Sequence, residues 1–137
     1  MGARENILTA ALGCFTEEGY ERTTIARICE RSGVSNGALF HYFRTKEAIA
    51  GALYVDAIQS VQQGYWKVLA QRPETLHDAV AGVIRQQLSW IEANPERARF
   101  LYNQGRLDQA TDAGGQLKTL NDDLCSAYRD WLEPFVA

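Results

Sequence analysis

The sequence is short of most features that would mark a specialised chain. No apolar run approaches the roughly 18 residues that a membrane-spanning helix needs, so a span is excluded at the level of sequence. The first residues lead straight into a stretch holding Glu5, Glu17 and Glu18 and not into an apolar signal core. The expected address is therefore the cytoplasm. There are three cysteines, at positions 14, 29 and 125, with no CxxC pair. An odd count without ligand spacing argues against a disulfide framework and against a zinc site. Cys14 and Cys29 instead fit apolar helix faces as small buried side chains. There are two histidines, His41 and His77, in separate segments, and no glycine-rich phosphate loop. No nucleophile, base or metal constellation results, so we expect neither an enzyme nor a bound cofactor or metal.

Excess positive charge is also missing. The net charge is −3, whereas phosphate binding ordinarily calls for a basic surface. Residues 1–50 carry six Lys/Arg and six Asp/Glu, and residues 51–137 carry eight and eleven. The first part is neutral and the second acidic. Any nucleic-acid reading must rest on pattern and not on bulk charge.

Hydrophobic residues make up 46 % of the chain, enough for a real core. Their spacing is helical throughout, and no alternating strand pattern is found. Gly19, Gly33, Gly37, Pro73, Asn94-Pro95, Gly114-Gly115 and Pro134 punctuate it. A first helix is expected from about Arg4 to Glu18, with Ile7, Leu8, Ala11, Leu12 and Phe15 on one face. Gly19 suits a left-handed end. Thr23 or Thr24 caps a second helix that stops at Gly33. Ser35 caps a short third helix from Asn36 to Phe43, and Thr45 caps a fourth that reaches toward Gln71. Thr75 with Asp78 resembles a capping box for a fifth helix carrying Leu76, Val80, Val83, Ile84, Leu88 and Ile91. Asn94 ends it ahead of Pro95, which suits the first position of a sixth helix. Residues 108–115 are expected to form a loop. A final helix carries Leu117, Leu120, Leu124, Tyr128 and Trp131 and ends at Pro134.

Two helices joined through Gly33-Val34-Ser35 have the layout of a helix-turn-helix. At 100° per residue, Leu39 and Phe43 share an inward face, and Gly37, Ala38 and His41 lie between about 160° and 260° from it. The outward set holds no carboxylate, which suits a groove lined with phosphates.

The segment Gly33-Val-Ser-Asn-Gly-Ala-Leu-Phe-His-Tyr-Phe-Arg-Thr-Lys-Glu47 resembles the signature of the TetR family of regulators. So does the upstream stretch from Ile7 to Thr24, and the likeness covers about residues 3–58. The resemblance implies an all-α fold: a three-helix head at 1–48 and a helical ligand-binding and dimerisation body at 49–137. It further implies a homodimer on a palindromic DNA operator, usually repressing, and released by a small-molecule effector. Thr24, Tyr42 and Lys46 fall on positions that typically touch phosphates. Asn36, Gly37, Ala38 and His41 fall on positions that approach bases, behind the Ser35 cap. Each has a plainer use: Thr24 as a cap alone, Lys46 as a first-turn residue, Asn36 as an aid to Ser35, His41 as idle surface. Phe40 departs from the family, which commonly has tyrosine there, and receives no polar role.

The likeness fades after about residue 60. The rings of Trp66, Trp90, Phe100 and Tyr102, with Asn103 and Arg106 for polar contacts, are the candidate effector lining, although rings also fill helical cores. The family usually continues beyond this point into its dimer bundle, so the body is expected to be truncated at its C-terminal end or to dimerise by other surfaces. Leu117, Leu120, Leu124 and Tyr128 could face a partner chain or the chain's own core. The competing reading is a helical interaction module that has lost DNA binding; the intact face at 36–42 with Tyr42 and Lys46 speaks against it.

Overall fold

The computed structural model describes residues 2–103 and 112–136. Seven α-helices account for them: α1 (Ala3–Glu17), α2 (Ile25–Ser32), α3 (Asn36–Tyr42), α4 (Lys46–Ala70), α5 (Leu76–Ala93), α6 (Pro95–Asn103) and α7 (Asp112–Val136). The first five fall within a residue or two of the spans expected from spacing, and the sixth begins at Pro95 as expected. No described helix is long and apolar enough to cross a membrane.

Local chemistry sets the boundaries. Four helices begin on a hydroxyl that accepts an N–H from the first turn: Thr24 from Arg27, Ser35 from Ala38, Thr45 from Ala48 and Thr75 from Asp78. Each satisfies a donor that the helix itself cannot. Gly19 and Gly33 both take positive φ, and at Gly33 this reverses the chain between α2 and α3. Of the two threonines before α2, Thr24 is the cap. Thr23 is buried and donates to the Gly19 carbonyl at 2.8 Å.

Two expectations are corrected at the end of the chain. The loop set at 108–115 gives way to helix from Asp112 onward; residues 108–111 lie outside the described residues. Gly114 and Gly115 disfavour helix by about 1 kcal/mol each, and the helix that holds them packs on α4. A Cβ added at Gly51 of α4 would sit 2.9 Å from that of Ala113. Pro134 does not stop the last helix, which continues to Val136. In a final exposed turn a proline removes one hydrogen bond without neighbours to disrupt.

The main core joins Ile7, Ala11, Cys14 and Phe15 of α1 to Ile28 of α2, Leu39 of α3, Ile49 and Leu53 of α4, and Phe100 of α6. Val34 packs into the angle between α2 and α3. The core therefore continues past residue 48 into α4 and takes one ring from α6. Phe15 and Phe100 stack at 6.0 Å between centroids, and Thr16 donates to Glu96 at 3.0 Å. A second, smaller core holds Ala57, Val61 and Leu101, with Tyr65 and Trp90 against it. The stripe Leu117, Leu120, Leu124 and Tyr128 is half buried, and α7 packs on α4.

The apolar stripe of α5 is different. Val80, Ile84 and Leu88 are 57 %, 54 % and 56 % exposed, and Leu76 is also exposed. Only Ala79 and Gly82 of this helix are buried. Gly82 lies against Val68 of α4, close enough that a Cβ would meet it at 3.0 Å. The bulky face of α5 is left largely open.

Candidate nucleic-acid interface

The third helix is held by its inner face. Leu39 is fully buried and Phe43 nearly so, as the 100° count requires. Its outer face is bare: Asn36, Gly37, Phe40, His41 and Tyr42 are exposed and Ala38 is half exposed. A Cβ added at Gly37 would meet nothing within 4 Å. The backbone there is open to close approach by another surface. His41 and Tyr42 meet edge to face at 5.0 Å. No hydrogen bond with a described residue engages the His41 nitrogens or the Tyr42 hydroxyl.

Flanking groups are held in place. Thr24 and Ser35 serve as caps, and both hydroxyls keep their hydrogen free to donate outward. Lys46 has a role that sequence did not show. Its ammonium donates to the Tyr20 carbonyl at 2.9 Å and lies 4.3 Å from the centre of the Tyr20 ring. A cation in the first turn of α4 is disfavoured by the helix dipole, and the Tyr20 carbonyl and ring outside that helix offset this. An ammonium has three hydrogens, so two remain for other acceptors. Burial chiefly, and then the Glu47 carboxylate, raise the Tyr20 hydroxyl above its usual range.

The neutral charge of the head is unevenly spent. Glu17 binds Arg31 through both oxygens, at 2.6 and 3.1 Å, and Glu18 binds Arg27 at 2.9 Å. The Arg31 guanidinium lies across Gly13, where a Cβ would come within 2.5 Å of it. These acids are thus engaged between α1 and α2. Arg22, before α2, and Arg44, after α3, are exposed and make no ion pair with a described residue. Both flank the helix-turn-helix, and bulk composition hid them.

The effector candidates do not converge. Phe100 belongs to the main core. The Trp90 indole donates to Ser60 at 2.9 Å and packs on the second core. Tyr102 is exposed and linked through Gln87 to Tyr65, a hydrogen-bonded chain across α6, α5 and α4. Trp66 and Asn103 are exposed on other surfaces. Arg106 lies outside the described residues. An apolar depression of about 540 Å³ instead runs between α5 and α7, lined by Leu76, Val80, Ile84, Tyr128, Trp131 and Leu132 among others. Gln62 of α4 was not singled out from sequence. It is 5 % exposed, donates to Asn121 at 2.6 Å, and leaves its carbonyl oxygen without a partner. A buried glutamine in a helical pattern reads as any solvent-facing residue until its neighbours are known.

A helix-turn-helix presented by a three-helix head, with a bare third helix, is the layout of helix-turn-helix DNA-binding domains. The model of the tetR family of bacterial regulatory proteins matches residues 7–53, from α1 into α4, and this part of the chain belongs to that family. An HTH-type transcriptional repressor of Mycobacterium tuberculosis is 33 % identical over 106 residues, which cover 73 % of this chain and 51 % of that protein. The repressor AcnR of Corynebacterium glutamicum is 47 % identical over 51 residues, 37 % of this chain and 27 % of that one. The chain thus spans about half the length of the first relative, or less for the second. A tetR family transcription regulator from a Shewanella species superposes with a TM-score of 0.67 at 18 % identity, covering 98 % of this chain and 70 % of that one. That likeness shows the fold.

Proposed function

We propose that this protein is a ligand-responsive transcriptional repressor that binds a palindromic operator as a homodimer in the cytoplasm. The observation that carries the reading is the outer face of α3, bare from Asn36 to Tyr42 while Leu39 and Phe43 lock the inner face. In a helix-turn-helix this face enters the major groove. Asn36, Gly37, Ala38 and His41 approach base edges; Thr24, Ser35, Tyr42 and Lys46 hold phosphates, helped by Arg22 and Arg44. Phosphate contacts fix register and base contacts carry sequence. The repressors among the relatives act in the same sense.

Residues 1–48 form the reading head and residues 49–137 the regulatory body. The shared core, with Phe100 against Phe15 and Glu96 against Thr16, gives the body a mechanical grip on α1. An effector alters DNA affinity only through unequal binding to two arrangements of that junction. The apolar groove between α5 and α7 is where an apolar effector would fit.

Fluorescence anisotropy with duplexes from upstream of the chain's own gene, against random duplexes over a salt series, tests the reading. The expected result is a clear preference for the upstream DNA and a loss of affinity as salt rises. Equal, weak binding to both would overturn it.

A further inference from the structure

Cys29 and Asn36 meet across the turn between α2 and α3. Cys29 is half buried in the second half of α2, and Asn36 is the exposed first residue of α3. The Cys29 thiol donates to Asn36 Oδ1 at 3.1 Å. Ser35 alone accepts the Ala38 N–H, so the carboxamide is not the cap of α3. Desolvation pushes the Cys29 thiol up from its usual range, and it keeps its donor hydrogen at neutral pH. A free asparagine offers an acceptor and a donor side by side, which is what bidentate pairing with adenine requires. Here the oxygen edge is turned back to α2, and the amino edge is the one left for a partner.

We propose that Cys29 is a positioning residue that sets base specificity: by turning Asn36 Oδ1 back toward α2 it leaves the amino group as the edge that meets the base, so the base facing it is guanine and not adenine. In the major groove guanine presents two acceptors, N7 and O6, which match the two hydrogens of the amino group. Adenine presents N7 beside an amino donor, and that donor finds no oxygen turned toward it. The inference rests on reading α3 as the recognition helix.

Selection of duplexes from a randomised library, by the full chain and its variants, tests this. Asn36→Ala identifies the position by flattening base preference there. At that position the unaltered chain should favour guanine over adenine by roughly tenfold. Cys29→Val and Cys29→Ala, which both lack the donor and are checked for folding by thermal melting, should bring adenine level with guanine or above it. Cys29→Ser, which keeps a donor, should retain guanine. An unchanged preference in both donor-less variants, an adenine preference in the unaltered chain, or no position flattened by Asn36→Ala would overturn the inference while leaving specific binding intact. Enrichment of no sequence by the unaltered chain would instead remove the recognition-helix reading, and this inference with it.

Discussion

The head and the outer layer of the body solve the same problem differently. In the head, every large apolar stripe is covered: Ile7, Ile28, Leu39 and Ile49 are each fully buried. Along α5, four large apolar residues at four-residue spacing lie open. Burial of a leucine or isoleucine stabilises by about 1.5–3 kcal/mol, and α5 forgoes most of this within one chain. The lesson is that amphipathic periodicity names a face without naming its partner. In the head the partner is intramolecular. On α5 it must come from outside the described residues, or the face must stay wet.

The sharpest break of this comparison is a pair of truncations. Leu39→Ala should destabilise by about 2–5 kcal/mol and abolish DNA binding, whereas Ile84→Ala should cost well under 1 kcal/mol in the monomer. Chemical denaturation of each variant at low protein concentration checks this; equal losses would mean that the α5 face is buried. The caps come next. Ser35→Ala should cost about 1 kcal/mol and weaken operator binding beyond its loss of stability, because α3 frays at the end that faces DNA. Thermal melts with parallel anisotropy titrations separate the two effects. Gly37→Ala should act in opposite directions, adding up to about 1 kcal/mol of stability through helix propensity while weakening DNA binding by blocking close approach. A variant that gained both would contradict the use assigned to Gly37.

Lys46→Ala should weaken binding to specific and random DNA alike and lower the salt slope by roughly one. His41→Ala should instead relax preference at one base position. The smallest effect concerns Glu17, whose carboxyl the hydrogen bond and charge of Arg31 hold below its ordinary value near 4.5. A depressed acid contributes stability above its unfolded pKa, and that contribution is lost as pH falls through the folded value. Glu17→Gln should therefore lower stability at pH 7 and lose its effect in strong acid. A difference that persisted unchanged at low pH would show that the pair contributes nothing electrostatic. The pair is exposed, so its contribution is modest.

What could be read from the sequence was local. The hydroxyl caps at Thr24, Ser35, Thr45 and Thr75 and the turn at Gly33 depend on residues two or three positions apart, and all appear in place. The outward set on α3 followed from counting 100° per residue from Leu39. What stayed hidden was pairing over distance. Lys46 finds Tyr20 across 26 positions and Arg31 finds Glu17 across 14, and neither spacing has a helical signature. The body rings were visible as rings, yet nothing local says that Phe100 enters the head core while Tyr102, two residues on, stays outside. Gly114-Gly115 read as a break because propensity was weighed without the packing of α7 on α4.

The most direct test of the central claim is a map of backbone amide NMR shifts on adding a duplex selected by the full chain. The account predicts the largest shifts at Thr24, Ser35 to Ala38, His41, Tyr42 and Lys46, with small changes along Leu76 to Leu88. Shifts concentrated on the α5 and α7 surfaces, with α3 unmoved, would contradict it.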